Sequence, residues 1–386
     1  MINSQPWGVS DRELYERLRA LRTADVDAAV ASVVDVAGSA YRRPGAKLVA
    51  PTDGNALGAI TAGCLDGPVA KLAVEARRSG EMALETFDLT GNDWGLGVGC
   101  NGVIDVFVEP LDDSIDPMLR SLENGDPAAA LTVVKSDDSA VPVGARTVCT
   151  DAGVETDNTR SALPDDALMK LRDTAEAARG DGTSTLASVT REAGDLRVFV
   201  DGVEPAPELL LFGAEEDTDA VASFGAEVGF RVTVASPRGG RADPEDFSGA
   251  DQVHAIHPTD VDSLVETGGR TYAVLLSHNL VDDRLALTTL LEGTEIPYIG
   301  VMGPRKRFEE LRETAVKDGW SFTRAELDRI SAPVGLDLGD GTPTGIAMSI
   351  VSEVLAAAND ADGGRLSERS GPIHARQEPS RSERSQ

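Results

Sequence analysis

After Pro205 and Pro207 the chain settles into an alternation that few folds can accept. Short apolar runs at residues 209–212, 231–235, 252–256, 273–277 and 298–302 are separated by stretches of helical character. Strands and helices that alternate in this way build a parallel, doubly wound sheet. Thr342-Pro343 opens a last helix, through about residue 358, with threonine as its cap and proline at its first position.

The chain before Pro205 reads differently, as mixed α+β. Leu14, Leu18 and Leu21 have helical spacing behind a Ser10 cap. Residues 28–36 form an apolar, β-branched run, and Asp53-Gly54 sits between two short runs as a hairpin turn. A helix is expected at residues 68–78 and strands at 103–108, 130–134, 185–189 and 196–200. The expected organisation is therefore α/β overall. Residues 1–205 form a first domain and 206–358 a Rossmann-like second one. Residues 359–386, rich in Ser, Arg, Glu and Gly with no apolar period, form a disordered tail.

A formal charge of −29 spread along the chain, with only six lysines among 36 basic residues, reads as a halophilic surface kept soluble by its own field. Nucleic acid is a poor partner for it. Three cysteines make no disulfide framework, which fits a reducing cytoplasm. No signal peptide is expected at the N-terminus, and no apolar run approaches the roughly 18 residues of a membrane span. A soluble cytoplasmic protein is expected.

Two of the cysteines lie in glycine-rich loops at strand ends. Cys64 follows Gly63 in Gly58-Ala59-Ile60-Thr61-Ala62-Gly63-Cys64-Leu65-Asp66-Gly67, and Cys100 follows Gly99 in Trp94-Gly95-Leu96-Gly97-Val98-Gly99-Cys100-Asn101-Gly102. Glycine lets a backbone approach a ligand closely, and a thiol there can meet a soft metal. Arg42, Arg43 and Lys47 put cations beside Gly38 and Gly45. Cys149, in a Thr-Val-Cys-Thr strand, reads as structural.

Other candidates lie in the second half. Gly213-Ala214-Glu215-Glu216 stands where a dinucleotide-binding turn would be. Its carboxylates replace the glycines a pyrophosphate needs, so NAD(P) binding is not expected there. Gly303 leads into Arg305, Lys306 and Arg307 at a helix start, which suits either a phosphate site or a solvated helix face paired with Glu309 and Glu310. His278 ends a strand of the sheet, where it could face a ligand or cap a helix. His254 and His257 lack a second ligand pair, so zinc is not expected.

Several blocks together resemble the XdhC/CoxI maturation proteins of molybdenum hydroxylases. Gly38-Ser39-Ala40-Tyr41-Arg42-Arg43-Pro44-Gly45-Ala46 resembles that family's GSAPRRPGA segment, Ala62-Gly63-Cys64-Leu65-Asp66 its GGCLE loop, and Gly97-Val98-Gly99-Cys100-Asn101-Gly102 its GLGCGG loop. Residues 298–307 are similar to YIGLLGSRRK, and residues 332–339 to APVGLDIG. The chain departs from the family at Ala62, where a glycine is usual, and at Glu215-Glu216, where the family has GAGH. The resemblance implies a chaperone, more an accessory protein than a catalyst. It would bind molybdenum cofactor, shield it during sulfuration by a cysteine desulfurase, and deliver it to an apo xanthine dehydrogenase-like or CO dehydrogenase-like hydroxylase. Cys64 and Cys100 are then the expected metal ligands, and Arg42, Arg43, Gly63, Gly99, Gly303, Arg305 and His278 the expected cofactor contacts; a homodimer is expected. The alternative is an NAD(P)-dependent oxidoreductase using the Rossmann-like half.

Overall fold

A computed structural model describes residues 8–90, 102–157, 159–265 and 268–370. The chain divides into two compact units, Met1–Pro205 and Ala206–Gln386.

The first unit runs α1 (Asp11–Thr23), β1 (Ala28–Gly38), β2 (Lys47–Pro51), β3 (Leu57–Gly58), α2 (Asp66–Ser79), β4 (Ala83–Asp88) and β5 (Gly102–Pro110). It then repeats the series as α3 (Asp116–Glu123), β6 (Ala128–Ser136), β7 (Arg146–Thr150), β8 (Gly153–Glu155), α4 (Asp165–Asp181), β9 (Ser184–Val189) and β10 (Leu196–Val203). Two five-stranded antiparallel sheets result, ordered β3-β2-β1-β5-β4 and β8-β7-β6-β10-β9. The two orders are the same topology written twice.

Local chemistry sets the ends of these elements. Ser10 and Glu13 form a reciprocal capping box on α1. Gly80 and Gly182 end α2 and α4 in the left-handed conformation that glycine adopts without strain. Alternation along the central strands sorts their two faces. Ala29, Ala31 and Val33 of β1 pack with Val69 and Ala73 of α2, while Ala129, Leu131 and Val133 of β6 pack with Ala167 and Leu171 of α4. The opposite faces meet each other: Val30, Val49, Ala130 and Val148 share one cluster, and Val34, Phe107, Val134 and Phe199 another. The correspondence extends to irregularities. The register slips at Val34 in the first sheet and at Val134 in the second.

In the second unit β11 (Glu208–Phe212), β12 (Arg231–Ser236), β13 (Gln252–Ala255), β14 (Thr271–Leu275), β15 (Tyr298–Val301) and β16 (Ile330–Ser331) form an all-parallel sheet in the order β13-β12-β11-β14-β15-β16. Helices α5 (Glu216–Glu227), α6 (Leu280–Gly293), α7 (Arg305–Lys317), α8 (Arg324–Asp328) and α9 (Pro343–Ala358) complete it. Val221, Ala347 and Ile350 cover one face and Ala286, Leu290 and Leu311 the other, so the doubly wound expectation holds. Thr342 caps α9 through Gly345 N–H, with Pro343 in the first turn. Among the described residues no helix is long and apolar enough to cross a membrane.

Candidate functional site

Strand direction in the first sheet gathers the motif loops at one end. β1 and β2 pair Ala28 with Pro51 and Ser32 with Lys47, so β1 leaves the sheet where β2 enters it. Leu48 pairs with Gly58, which sends residues 59–65 off the same end. Gly38 pairs with Gly102 and Val103 with Asp88, so β4 also leaves and β5 enters there. Two loops therefore share this end, residues 39–46 with Arg42 and Arg43 and residues 59–65 with Gly63 and Cys64, and the chain leaves β4 and re-enters at β5 there. Gly99 and Cys100, which lie between β4 and β5 in the sequence, are outside the described residues.

The geometry of each loop follows from its residues. Gly63 holds φ +105° and has open space where a Cβ would stand. Cys64 is half-buried and packs against the core that contains Ile60, Leu65 and Leu89. Thr61 steadies the loop by accepting the Leu65 N–H at 3.1 Å through its hydroxyl. Gly102 has no room for a side chain, since its Cβ would come within 2.5 Å of the Ser39 carbonyl oxygen. Arg42 reaches Asp11 at 3.9 Å and Arg43 is exposed, so both guanidiniums stay near solvent. Lys47 is different. It is 5% exposed, pairs with Asp201 at 2.7 Å and donates to the Gly45 carbonyl at 2.9 Å, so it is a structural cation and not one offered to a ligand.

Cys149 lies half-buried in β7, where burial pushes its thiol up; this suits a structural role. Among the described residues no group of three or more His, Cys, Asp or Glu side chains could hold a metal ion.

The second unit distributes its candidates. Gly213 holds φ +152°, and a Cβ there would come within 2.6 Å of the Leu276 carbonyl oxygen, so β11 and β14 close on each other at their carboxyl ends. Glu215 pairs with Arg241. His278, at φ +56°, places Nε2 2.9 Å from Asp217 Oδ2 across the same crevice. The three cations after Gly303 separate. Arg307 pairs with Asp283, Lys306 lies 3.7 Å from Glu310, and Arg305 is exposed. Gly303 is tight against Arg307, whose Cδ lies 2.6 Å from where a Cβ would be. Asp283, which sequence reasoning missed, is fully buried and also receives the Ser277 hydroxyl at 2.5 Å, fixing the turn that carries His278. A cavity of about 100 Å³ lies between Asp217, Met302 and α9. It is smaller than the roughly 300 Å³ at which organic-ligand pockets begin.

Each sheet of the first unit also conceals a residue that reading along the chain passed over. Glu109 ends β5 buried between Arg146, at 2.5 Å, and Arg160. Asp201 lies near the end of β10, buried against Lys47. Their signal is a repeated phrase, Val106-Phe107-Val108-Glu109 and Val198-Phe199-Val200-Asp201, in which a carboxylate follows an apolar run.

Comparison with known proteins places both units. Residues 21–88 match the model of the XdhC and CoxI family, and residues 209–354 that of the XdhC Rossmann domain. A probable xanthine dehydrogenase subunit of Bacillus subtilis (strain 168) is 26% identical over 348 residues, covering 88% of this chain and 96% of the relative. The molybdenum cofactor insertion chaperone PaoD of Escherichia coli (strain K12) is 23% identical over 333 residues, covering 85% and 83%. The crystal structure of a xanthine dehydrogenase from Bacillus halodurans superposes with a TM-score of 0.72 at 24% identity, over 91% of this chain and 96% of that one, a likeness of fold.

Proposed function

Because the chain belongs to the XdhC and CoxI family, we propose that it binds molybdenum cofactor as cargo and delivers it to a molybdenum hydroxylase of the xanthine dehydrogenase or CO dehydrogenase kind. The observation that carries this reading is the shared sheet end, where the Arg42–Arg43 loop and the Cys64 loop leave β1 and β3 and where β4 ends and β5 begins on either side of the segment that holds Cys100. The cargo has an anionic phosphate and a thiophilic metal. Guanidiniums suit the first and a cysteine sulfur the second. Half-buried Arg42 and exposed Arg43 supply donors, Gly63 gives backbone access, and Cys64 supplies sulfur; Cys100 and Gly99 complete the proposed set.

The second unit enters this reading as a scaffold. Gly213 packed against Leu276, with carboxylates at Glu215, Glu216 and Asp217, disfavours a pyrophosphate and with it the NAD(P) oxidoreductase alternative. Within the second unit taken by itself, Gly303, Arg305 and His278 are the proposed cofactor contacts. Sulfuration by a cysteine desulfurase, a homodimer and a cytoplasmic setting complete the proposal.

The test is purified protein mixed with molybdenum cofactor, with retained metal and pterin quantified after gel filtration. Cys64→Ser and Cys100→Ser should each lower retention at least fivefold while far-ultraviolet circular dichroism is unchanged, and Cys149→Ser should match the parent. Retention undiminished in both loop variants would sink the reading.

A further inference from the structure

The two halves of the first unit exchange their charged side chains. Val30 of β1 pairs with Glu109, and Ala130 of β6 pairs with Asp201, so the two carboxylates occupy equivalent positions. Lys47 and Arg146 are likewise the first residues of β2 and β7. Yet Lys47 of the first half binds Asp201 of the second, and Arg146 of the second binds Glu109 of the first. The loops that precede these cations match too. Gly45 N–H donates to Val33 O and Gly144 N–H to Val133 O, while Val33 N–H and Val133 N–H donate back to Ala46 O and Ala145 O. A Cβ on Gly45 would strike Ser184, just as one on Gly144 would strike Met82, and these two neighbours stand at the starts of β9 and β4. The unit is a covalent pseudodimer with reciprocal ion pairs.

The halves differ in what the paired loops carry. Residues 39–46 bear Arg42 and Arg43; their counterpart, residues 137–145, bears Asp137 and Asp138 and no cation. Thirteen residues separate β4 from β5 in the sequence, whereas six separate β9 from β10. Neither cysteine loop has a cysteine counterpart in the second half.

We propose that Asp201, from the second half, is the positioning residue for the Arg42–Arg43 loop of the first, acting through Lys47 and the Gly45 carbonyl. Ser184 holds Asp201 Oδ1 at 2.8 Å, Asp201 Oδ2 holds Lys47 at 2.7 Å, and Lys47 holds the Gly45 carbonyl at 2.9 Å. Ala46 N–H closes the turn onto the Arg43 carbonyl at 3.1 Å. The chain of contacts therefore runs from β9 and β10 to the backbone of Arg43. The second half has kept the anchor and the first half the cargo loops. This inference rests on the reading of that loop as part of the cargo site.

Trypsin tests it on the full chain. Within residues 39–46 only the Arg42–Arg43 bond is cleavable, because Pro44 protects the next one. The rate at Arg42 is read against the rate at Arg78, on the exposed face of α2. Removing both charges together, in K47M/D201N, leaves no lone buried ion and should raise that ratio at least tenfold. K47R should keep it within twofold of the parent. Glu109→Gln breaks the mirror pair and loosens the unit as a whole, so it should raise the rates at Arg42 and Arg78 together and leave their ratio within twofold. An unchanged ratio in K47M/D201N, or an equal rise in E109Q, overturns the proposal. If the double variant is unfolded by circular dichroism, Ser184→Ala carries the same test, with a rise of at least threefold expected and none refuting. Molybdenum cofactor retention is measured in the same proteins. Retention that falls as the loop opens supports positioning. Full retention beside an opened loop overturns it, and the cysteine variants then decide separately whether the cargo reading stands.

Discussion

Glu109→Gln should loosen both sheets of the first unit by about two orders of magnitude in hydrogen-exchange protection. Glu109 is 7% exposed and accepts from Arg146 and Arg160 at once. Glutamine keeps one acceptor oxygen and turns an amide N–H₂ toward a guanidinium. One charge-assisted hydrogen bond is lost, worth about 1.5–3 kcal/mol. Removing one partner of a buried pair costs about 3–5 kcal/mol when nothing else compensates. Here Arg160 keeps Asp112 at 2.7 Å, and Arg146 keeps Thr132 at 2.9 Å and Ser114 at 3.0 Å, so the lower end, about 3 kcal/mol, applies. Each 1.4 kcal/mol is about a factor of ten, which gives about a hundredfold. Exchange mass spectrometry on peptides from β1, β5, β6 and β10 reads it directly, with β11 and β14 as the internal control. Acid supplies a second readout. Burial pushes the Glu109 carboxyl up, but Arg146 and Arg160 outweigh burial and hold it below its ordinary 4.5. A carboxylate depressed on folding stabilises the protein above its unfolded value and loses that contribution as pH falls through the folded one. The parent should therefore lose protection steadily below about pH 4.5, and E109Q should lose less over the same range. A drop of less than fivefold at neutral pH, or an equal drop in the parallel sheet, would refute the reasoning.

Gly102→Ala should part β1 from β5 at the loop-bearing end, because its methyl would meet the Ser39 carbonyl; exchange at Gly38 and Ser39 should rise with β6 unaffected. Asp283→Asn should destabilise the second unit by about 2 kcal/mol, since Ser277 and Arg307 both lean on its carboxylate, and urea melts followed by Trp320 fluorescence should show it. Calorimetry should find no NADH affinity tighter than about 1 mM, equivalent to about −4.1 kcal/mol; micromolar binding abolished by Gly213→Val would overturn the reading of that crevice.

The outline of both units could be read from the chain because short-range rules fix it. The apolar runs after Pro207 became strands β11 to β15, Asp53-Gly54 lies between paired strands β2 and β3, and Ser10 and Thr342 cap the helices they precede. The charged contacts could not be read this way. Arg305, Lys306 and Arg307 look like one patch in a line of text, but successive helical residues turn by about 100°, which sends Arg307 inward to Asp283 and leaves Arg305 in solvent. Lys47 looked like a free cation beside Arg42 and Arg43 because its partner, Asp201, lies in the other sheet. The duplication left only faint traces, Gly-Ala-Lys against Gly-Ala-Arg and the two Val-Phe-Val-acid phrases, since packing conserves size and pattern more than identity.

The exchanged ion pairs also impose an order of events on a ribosome. A chain emerges N-terminus first, at about 5–20 residues per second. When the first half has emerged, Lys47 has no Asp201 to meet and Glu109 has no Arg146, so that half must wait with unmatched charges on the face it will later bury. Those charges keep the waiting face hydrated and discourage it from collapsing on a neighbouring nascent chain. The contact that runs from Asp201 through Lys47 to the arginine loop can form only after β10 has been made. A product truncated before Asp201 would lack the anchor of that loop.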